Sequence, residues 1–337
     1  MSTTTVAVAL GSGGARGYAH IGVLQVLEER GYEIVGIAGS SMGALIAGLH
    51  AAGRLEEYTS WVTGLNQLDV VRLMDVSLSA PGVIHAAKIL DKVREILGEV
   101  QIEDLPIPFT AVATDLTAGR AKWFQRGPVD TAIRASIAIP GVITPFVLNG
   151  RVLVDGGILD PVPIAPLAAA GADLIIGVDL GADTGGIDAE SHESAHVVPG
   201  AMDMIRRTAS PLLEQNFVKS IVDRFAGDPG AEDASEVDPD GVAAVAETSD
   251  QESRVIASPS DDSALRKLSR FTIMDRSLDI MQEALARYQL AAFPPDVLIE
   301  VPRTAIRSLD FHRATEMIEL GRSLTEHALD EQQSRRW

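Results

Sequence analysis

Residues 34–53 read Ile-Val-Gly-Ile-Ala-Gly-Ser-Ser-Met-Gly-Ala-Leu-Ile-Ala-Gly-Leu-His-Ala-Ala-Gly, and the fold turns on this stretch. The apolar residues from Ile34 to Ile37 predict a short buried strand, and Ala44–Ala52 predicts a buried helix. Between them Gly39, Ser41 and Gly43 are spaced as G-x-S-x-G. Strand, tight turn and helix in that order are the setting in which this spacing forms a nucleophile elbow. The reason is steric. A serine held in a strained turn needs small residues two positions before and two after it. Ser41 meets that rule; Ser40, flanked by Ala38 and Met42, does not. The helix that follows aims its first N–H groups at the site, which favours developing negative charge. The stretch is also long and uncharged enough to suggest a membrane span. Its five glycines and two serines break the continuous apolar surface that a span needs.

Upstream, Val6–Leu10 predicts the first strand. It runs into Gly11-Ser-Gly-Gly-Ala-Arg-Gly17 and then a helical pattern (Ala19, Val23, Leu24, Leu27) ending near Gly31. A glycine-rich loop between strand and helix brings N–H groups close to an anion. A dinucleotide site would use such a loop, but the G-x-G-x-x-G fingerprint fails, because Arg16 stands where the third glycine belongs. The next strand also leads to the serine turn rather than to an acid for a ribose. An oxyanion loop beside the elbow is the better account. Arg16 is then a candidate for orienting a phosphate, a plain surface arginine being equally compatible with the sequence.

Downstream, Arg54–Gly98 reads as amphipathic helix with a loop around Ser77–Gly82 and shows no chemistry; His85 reads as a surface or packed histidine. Ile107–Thr114 predicts a buried strand with Ala121–Phe124 as its hairpin partner. Pro128–Ile137 predicts a helix. Phe146–Leu148 and Arg151–Val154 predict strands joined by the tight turn Asn149-Gly150. The second of these leads into Asp155-Gly156-Gly157, so that Asp155 projects into a cleft; an aspartate bonding its own turn is the ordinary alternative. Leu174–Val178 is another strand, and Asp179 at its end is a weaker rival. Met202–Phe225 predicts an amphipathic helix, either a lid or a packed element. Asp228–Asp262 holds eleven acidic residues and one basic one, with no aromatic residue, and predicts disorder. It lacks the spacing of a calcium-binding loop. A long helix over Ser263–Leu290, a strand over Asp296–Val301 and a helix over Phe311–Leu329 complete the chain.

A formal charge of −19 argues against nucleic acid and against simple electrostatic docking on anionic lipid. The chain has no cysteine, hence no disulfide framework and no Cys-based metal site or nucleophile. The first residues carry no basic segment, and the apolar run after them is too short for a signal peptide. A cytoplasmic protein is expected, at most peripheral to a membrane.

Taken together, Gly11-Ser-Gly-Gly-Ala-Arg-Gly-Tyr-Ala-His-Ile-Gly-Val-Leu24, Gly39-Ser-Ser-Met-Gly43 and Asp155-Gly-Gly157 resemble the patatin-like phospholipases, above all the bacterial branch related to the catalytic domain of neuropathy target esterase. Ala113-Thr-Asp-Leu116 and Ala135-Ser-Ile-Ala-Ile-Pro-Gly141 look like the same branch. The resemblance covers residues 6–180 and returns weakly at Asp296–Gly321. It implies a three-layer α/β/α sandwich with a mostly parallel central sheet, and a Ser–Asp dyad acyl hydrolase working through an acyl-enzyme. Ser41 would be the nucleophile and Asp155 its base. Gly13 and Gly14 would form the oxyanion hole and Arg16 would lie near the lipid phosphate. Gly11, Gly17, Gly39, Gly43, Gly156 and Gly157 would be motif glycines. The expected substrate is a lysophospholipid, phospholipid or related acyl ester met in transient contact with a membrane surface, with no metal and no cofactor. The expected organisation is one domain over 1–337, its core 6–180 plus 263–330, interrupted by an acidic insertion at 226–262. One departure is Asp160, where related sequences often carry asparagine; a second carboxylate there would raise the pKa of Asp155 if it faced the site. Two other readings are a Ser41–Asp155–His312 triad esterase and a non-catalytic lipid-binding or scaffolding protein.

Overall fold

Alternating small and large residues in the first strand set the layers. In β1 (Thr5–Leu10), Val6, Val8 and Leu10 face one way and Ala7 and Ala9 the other, and all five are fully buried. A strand buried on both faces belongs in the middle of a parallel sheet. The computed structural model places it there. The structure describes residues 3–73, 87–182 and 270–334. The predicted helix at 202–225, the acidic stretch at 228–262 and His85 lie outside them. Met1–Ile187 and Leu268–Trp337 form one compact unit; the other, Asp188–Lys267, falls within the part that is not described.

The remaining strands are β2 (Glu33–Ser40), β3 (Phe109–Asp115), β4 (Arg120–Phe124), β5 (Phe146–Leu148), β6 (Arg151–Asp155), β7 (Leu174–Ala182) and β8 (Val297–Pro302). They form an eight-stranded sheet in the order β5-β6-β3-β2-β1-β7-β8, with β4 also paired to β3. Every pairing from β3 across to β8 is parallel, and the β3–β4, β3–β6 and β5–β6 pairings are antiparallel. The sheet is mostly parallel, as expected. Asp115 ends β3 and accepts the N–H groups of Thr117 and Ala118, both at 3.0 Å, which closes the turn into β4.

The helices are α1 (Ala19–Glu29), α2 (Met42–Ala51), α3 (Leu55–Thr63), α4 (Gln67–Leu73), α5 (Ala87–Leu97), α6 (Val129–Ser136), α7 (Arg270–Ala292) and α8 (Ala314–Ser334). Residues of α1, α2, α6 and α8 pack into the larger core on the Val6/Val8/Leu10 face. Ala286 of α7 joins Val162, Ile164 and Leu167 over Ala7, Ala9 and Ala38 on the other face. Helices on both faces of one sheet make the three layers.

The strands that lead to Ser41 and Asp155 do not run parallel side by side. β4 occupies one edge of β3 over Ala111–Asp115. The opposite edge is shared: β2 pairs with Phe109–Val112 and β6 with Ala113–Asp115. Because β6 is antiparallel to β3, β2 and β6 run head to head. Ser40 lies opposite Val112 and Asp155 opposite Ala113. Their ends meet between two consecutive residues of β3.

Helices α1 and α8 cross backbone to backbone. A Cβ on Gly321 would lie 2.1 Å from the Ala19 carbonyl oxygen, and one on Gly22 would lie 2.1 Å from that of Ile318. Neither backbone can yield without separating the helices, and overpacking of this kind costs about 1–3 kcal/mol or more. Gly321→Ala is therefore expected to lower stability by at least ~1 kcal/mol, read as a shifted midpoint in urea unfolding of the purified protein.

Candidate active site

Ser41 sits at the join of β2 and α2 with φ 56° and ψ −124°, and is one of two non-glycine residues with positive φ among the described residues. Such a conformation costs of order 1–3 kcal/mol and persists only where its surroundings enforce it. The enforcement is visible. A Cβ on Gly43 would lie 2.0 Å from the Leu10 carbonyl oxygen, so the first turn of α2 rides directly on the end of β1. The Ser41 N–H donates to Ser136 Oγ at 2.9 Å, and Ser136 Oγ donates to the Val112 carbonyl at 2.5 Å. Ser136, at the end of α6, thus pins the elbow to β3; no role for it was read from the sequence.

Ser41 Oγ donates to Asp155 Oδ2 at 2.5 Å. The other carboxylate oxygen accepts the Gly157 N–H at 2.8 Å, and the Asp155 N–H is held by the Ala138 carbonyl at 2.9 Å. Both side chains are buried, with Ser41 2% and Asp155 1% exposed. Burial pushes the Asp155 carboxyl up to about 7, against the opposing pull of the Ser41 and Gly157 bonds. A carboxylate with this pKa is a competent proton acceptor near neutral pH.

The glycine loop begins at the end of β1. Gly11 N–H donates to Val178, Ser12 N–H to Pro161 and Ala15 N–H to Ser308. Among the described residues, the N–H groups of Gly13 and Gly14 donate to no protein acceptor. Met42, the first residue of α2, has no partner within its helix for its own N–H. Gly14 and Ser41 line the same cavity.

That cavity has a volume of about 830 Å³ and is open to solvent. Apart from Ser41 its walls are apolar and aromatic, with Leu45, Trp61, Leu73, Ile89, Ile139 and Phe311 among them. Part of the wall is drawn from α3, α4 and α5, within residues 54–98: the amphipathic pattern there was visible, and its apolar face borders this cavity.

Other candidates fall elsewhere. Arg16 is 3% exposed and does not line the Ser41 cavity; it donates to Gly13 O and pairs with Asp279 at 3.3 Å. Asp179 accepts the Gly181 N–H and lies in a second, polar hollow with Arg16, Asp279 and Glu283. Among the described residues no histidine bonds Ser41 or Asp155. His327 is largely exposed beside Glu331, and His20 is fully buried with Nε2 donating to the Gly11 carbonyl at 2.9 Å. Asp160 is buried and its backbone carbonyl accepts Ser40 Oγ at 2.5 Å. Its charge is not among the causes of the Asp155 shift.

Residues 8–168 match the patatin-like phospholipase family. Uncharacterized NTE family proteins of Mycobacterium bovis and Mycobacterium tuberculosis are 51% identical over 341 residues, covering 98% of this chain and 92% of theirs. The chain belongs to the NTE family. Within that family it is also 35% identical to the lysophospholipase NTE1 of Cryptococcus neoformans over 184 residues, 52% of this chain but 11% of that much longer protein. Among the described residues, no helix of this NTE family chain is long and apolar enough to cross a membrane.

Asp160 gives a stability test that leaves Ser41 and Asp155 in place. Burial raises its carboxyl from 3.8 to about 7. A raised carboxyl contributes stability that is fully present below the unfolded value and is lost as pH rises through the folded one. Asp160→Asn removes that loss. Its melting temperature, relative to the parent, should climb between pH 4 and about 7 and stay level above, measured by scanning calorimetry across the range.

Proposed function

We propose that this protein is a serine acyl hydrolase acting on single-chain lipid esters of the lysophospholipid class through a Ser41–Asp155 dyad. The observation that carries the reading is the 2.5 Å bond to a buried Asp155 from the Oγ of Ser41, which lines an apolar cavity. A serine hydroxyl becomes a useful nucleophile only when a base takes its proton, and no other base touches this one among the described residues.

The acyl chain lies along the apolar wall and presents its carbonyl carbon to Ser41 Oγ. As the C–O bond forms, the hydroxyl proton passes to Asp155 Oδ2. The N–H groups of Gly13, Gly14 and Met42 are the candidates to receive the oxyanion, each such donor being worth about 10²–10³ in rate. The tetrahedral intermediate then expels the alcohol, and Asp155 returns the proton to the departing oxygen. Water attacks the acyl-enzyme and gives a proton to Asp155; as the bond from the acyl carbon to Ser41 Oγ breaks, Asp155 passes that proton to Oγ, leaving the free acid, a restored serine and an ionised Asp155. The Gly157 N–H bond to Oδ1 keeps Oδ2 facing the hydroxyl throughout. The cavity walls carry no charge, which suits a hydrocarbon chain. Relatives named lysophospholipases favour the same substrate class.

Labelling of the intact protein by a fluorophosphonate probe tests the nucleophile: the parent should label, and Ser41→Ala should neither label nor hydrolyse lysophosphatidylcholine while keeping its melting temperature. Asp155→Asn keeps the shape but removes the base, and is expected to lose several orders of magnitude in kcat. In the parent, kcat/KM should rise with pH through an apparent pKa near 7, because Asp155 accepts the proton only when ionised. A flat profile from pH 5 to 8, or an active Asp155→Asn, refutes the dyad.

A further inference from the structure

The paired charges between the glycine loop and α7 have no part in the chemistry described so far. Arg16 Nε donates to the Gly13 carbonyl at 3.2 Å. Its Nη1 donates to the Arg303 carbonyl at 3.4 Å, and its Nη2 to Asp279 Oδ1 at 3.3 Å and Ser308 Oγ at 3.4 Å. Arg303 in turn pairs with Glu283 at 3.1 Å, one turn along α7 from Asp279. The same stretch after β8 accepts the Ala15 N–H at Ser308, directly behind Gly14: a Cβ on Gly14 would lie 2.4 Å from the Ser308 carbonyl oxygen. Helix α7 also reaches the Asp155 turn, where Gln289 Nε2 donates to the Leu159 carbonyl at 2.8 Å.

A trans peptide is planar, so its C=O and N–H point in opposite directions. The carbonyl of Gly13 and the N–H of Gly14 belong to one such peptide. Drawing the Gly13 carbonyl toward the guanidinium therefore turns the Gly14 N–H away from it. That N–H is free of protein partners among the described residues, and Gly14 borders the Ser41 cavity. The guanidinium itself lies outside that cavity, so it is badly placed to read a headgroup held there.

We propose that Arg16 is a positioning residue: it clamps the Gly13 carbonyl so that the Gly14 N–H faces the oxyanion, and Asp279 of α7 holds the clamp in place. This rests on the esterase reading above and departs from the expectation that Arg16 meets the lipid phosphate. Lysine cannot replace it, since one ammonium does not span Gly13, Arg303 and Asp279 together.

The test uses two esters, 4-nitrophenyl butyrate, which has no phosphate, and lysophosphatidylcholine, with kcat and KM measured separately on folded, full-length variants. Arg16→Met and Arg16→Lys should lose about 10²–10³ in kcat on both esters, the loss expected for one misplaced oxyanion donor, with KM near that of the parent. Asp279→Asn, on a partner that is about one-third exposed, should lose about tenfold in kcat on both, the effect of one charged hydrogen bond. If Arg16→Met does not fold, Asp279→Asn decides the matter alone. Variants that hydrolyse the phosphate-free ester like the parent, but show a raised KM for lysophosphatidylcholine, would make Arg16 a phosphate reader and overturn the proposal. A parent protein inert toward both esters would overturn the esterase reading itself.

Discussion

Everything at the site depends on the left-handed turn at Ser41. A non-glycine residue at φ 56° is unfavourable on its own, and the structure holds it from three directions. Beneath it, the close approach of Gly43 to Leu10 fixes the elbow to β1. Beside it, Ser136 bonds the Ser41 N–H and ties it to β3. In front of it, Asp155 accepts the hydroxyl. Each of these contacts comes from a different segment of the chain, so the strained turn exists only in the assembled sheet.

The second constraint is electrostatic. Asp155 is a buried carboxylate whose only compensations are the Ser41 and Gly157 donors, and burial wins. In water the same aspartate would be a weak base; here the cost of desolvating its charge makes taking up the serine proton less unfavourable. By contrast the charges around Arg16 are mutually paired in a separate polar hollow and serve geometry.

Most of the strands and helices were legible because the pattern that forms them is local. β5 and the hairpin turn at Asn149-Gly150 come directly from sequence, and Ser41 was singled out by the size of its neighbours. What was not legible was long-range. The head-to-head approach of β2 and β6 depends on how two strands divide one edge of β3, and no local signal reports which edge or direction is taken. The apolar wall from α3 to α5 looked like an ordinary packed face, because amphipathic spacing does not say whether a face meets protein or a cavity. Ser136 and Asp279 carried no signal at all, since their meaning lies in residues roughly 95 and 263 positions away. Arg16 was noticed, but apart from Gly13 its partners are drawn from beyond residue 270, where the resemblance is weak or absent.

Chain order gives these contacts a consequence in time. The serine, the aspartate and the glycine loop have all been made by Gly157, whereas Asp279 is 124 residues (279 − 155) beyond Asp155. At a synthesis rate of about 5–20 residues per second, roughly 6–25 s separate the two on the ribosome. Gly321, which seats α8 on α1, comes later still. In that interval the nascent chain holds its reactive groups without the struts that aim them, and the Ala7/Ala9 face of β1 is still waiting for Ala286. On the dyad reading proposed above, a half-made chain therefore carries its serine and aspartate without the contacts that aim them, and the site is complete only once the last helices have been made.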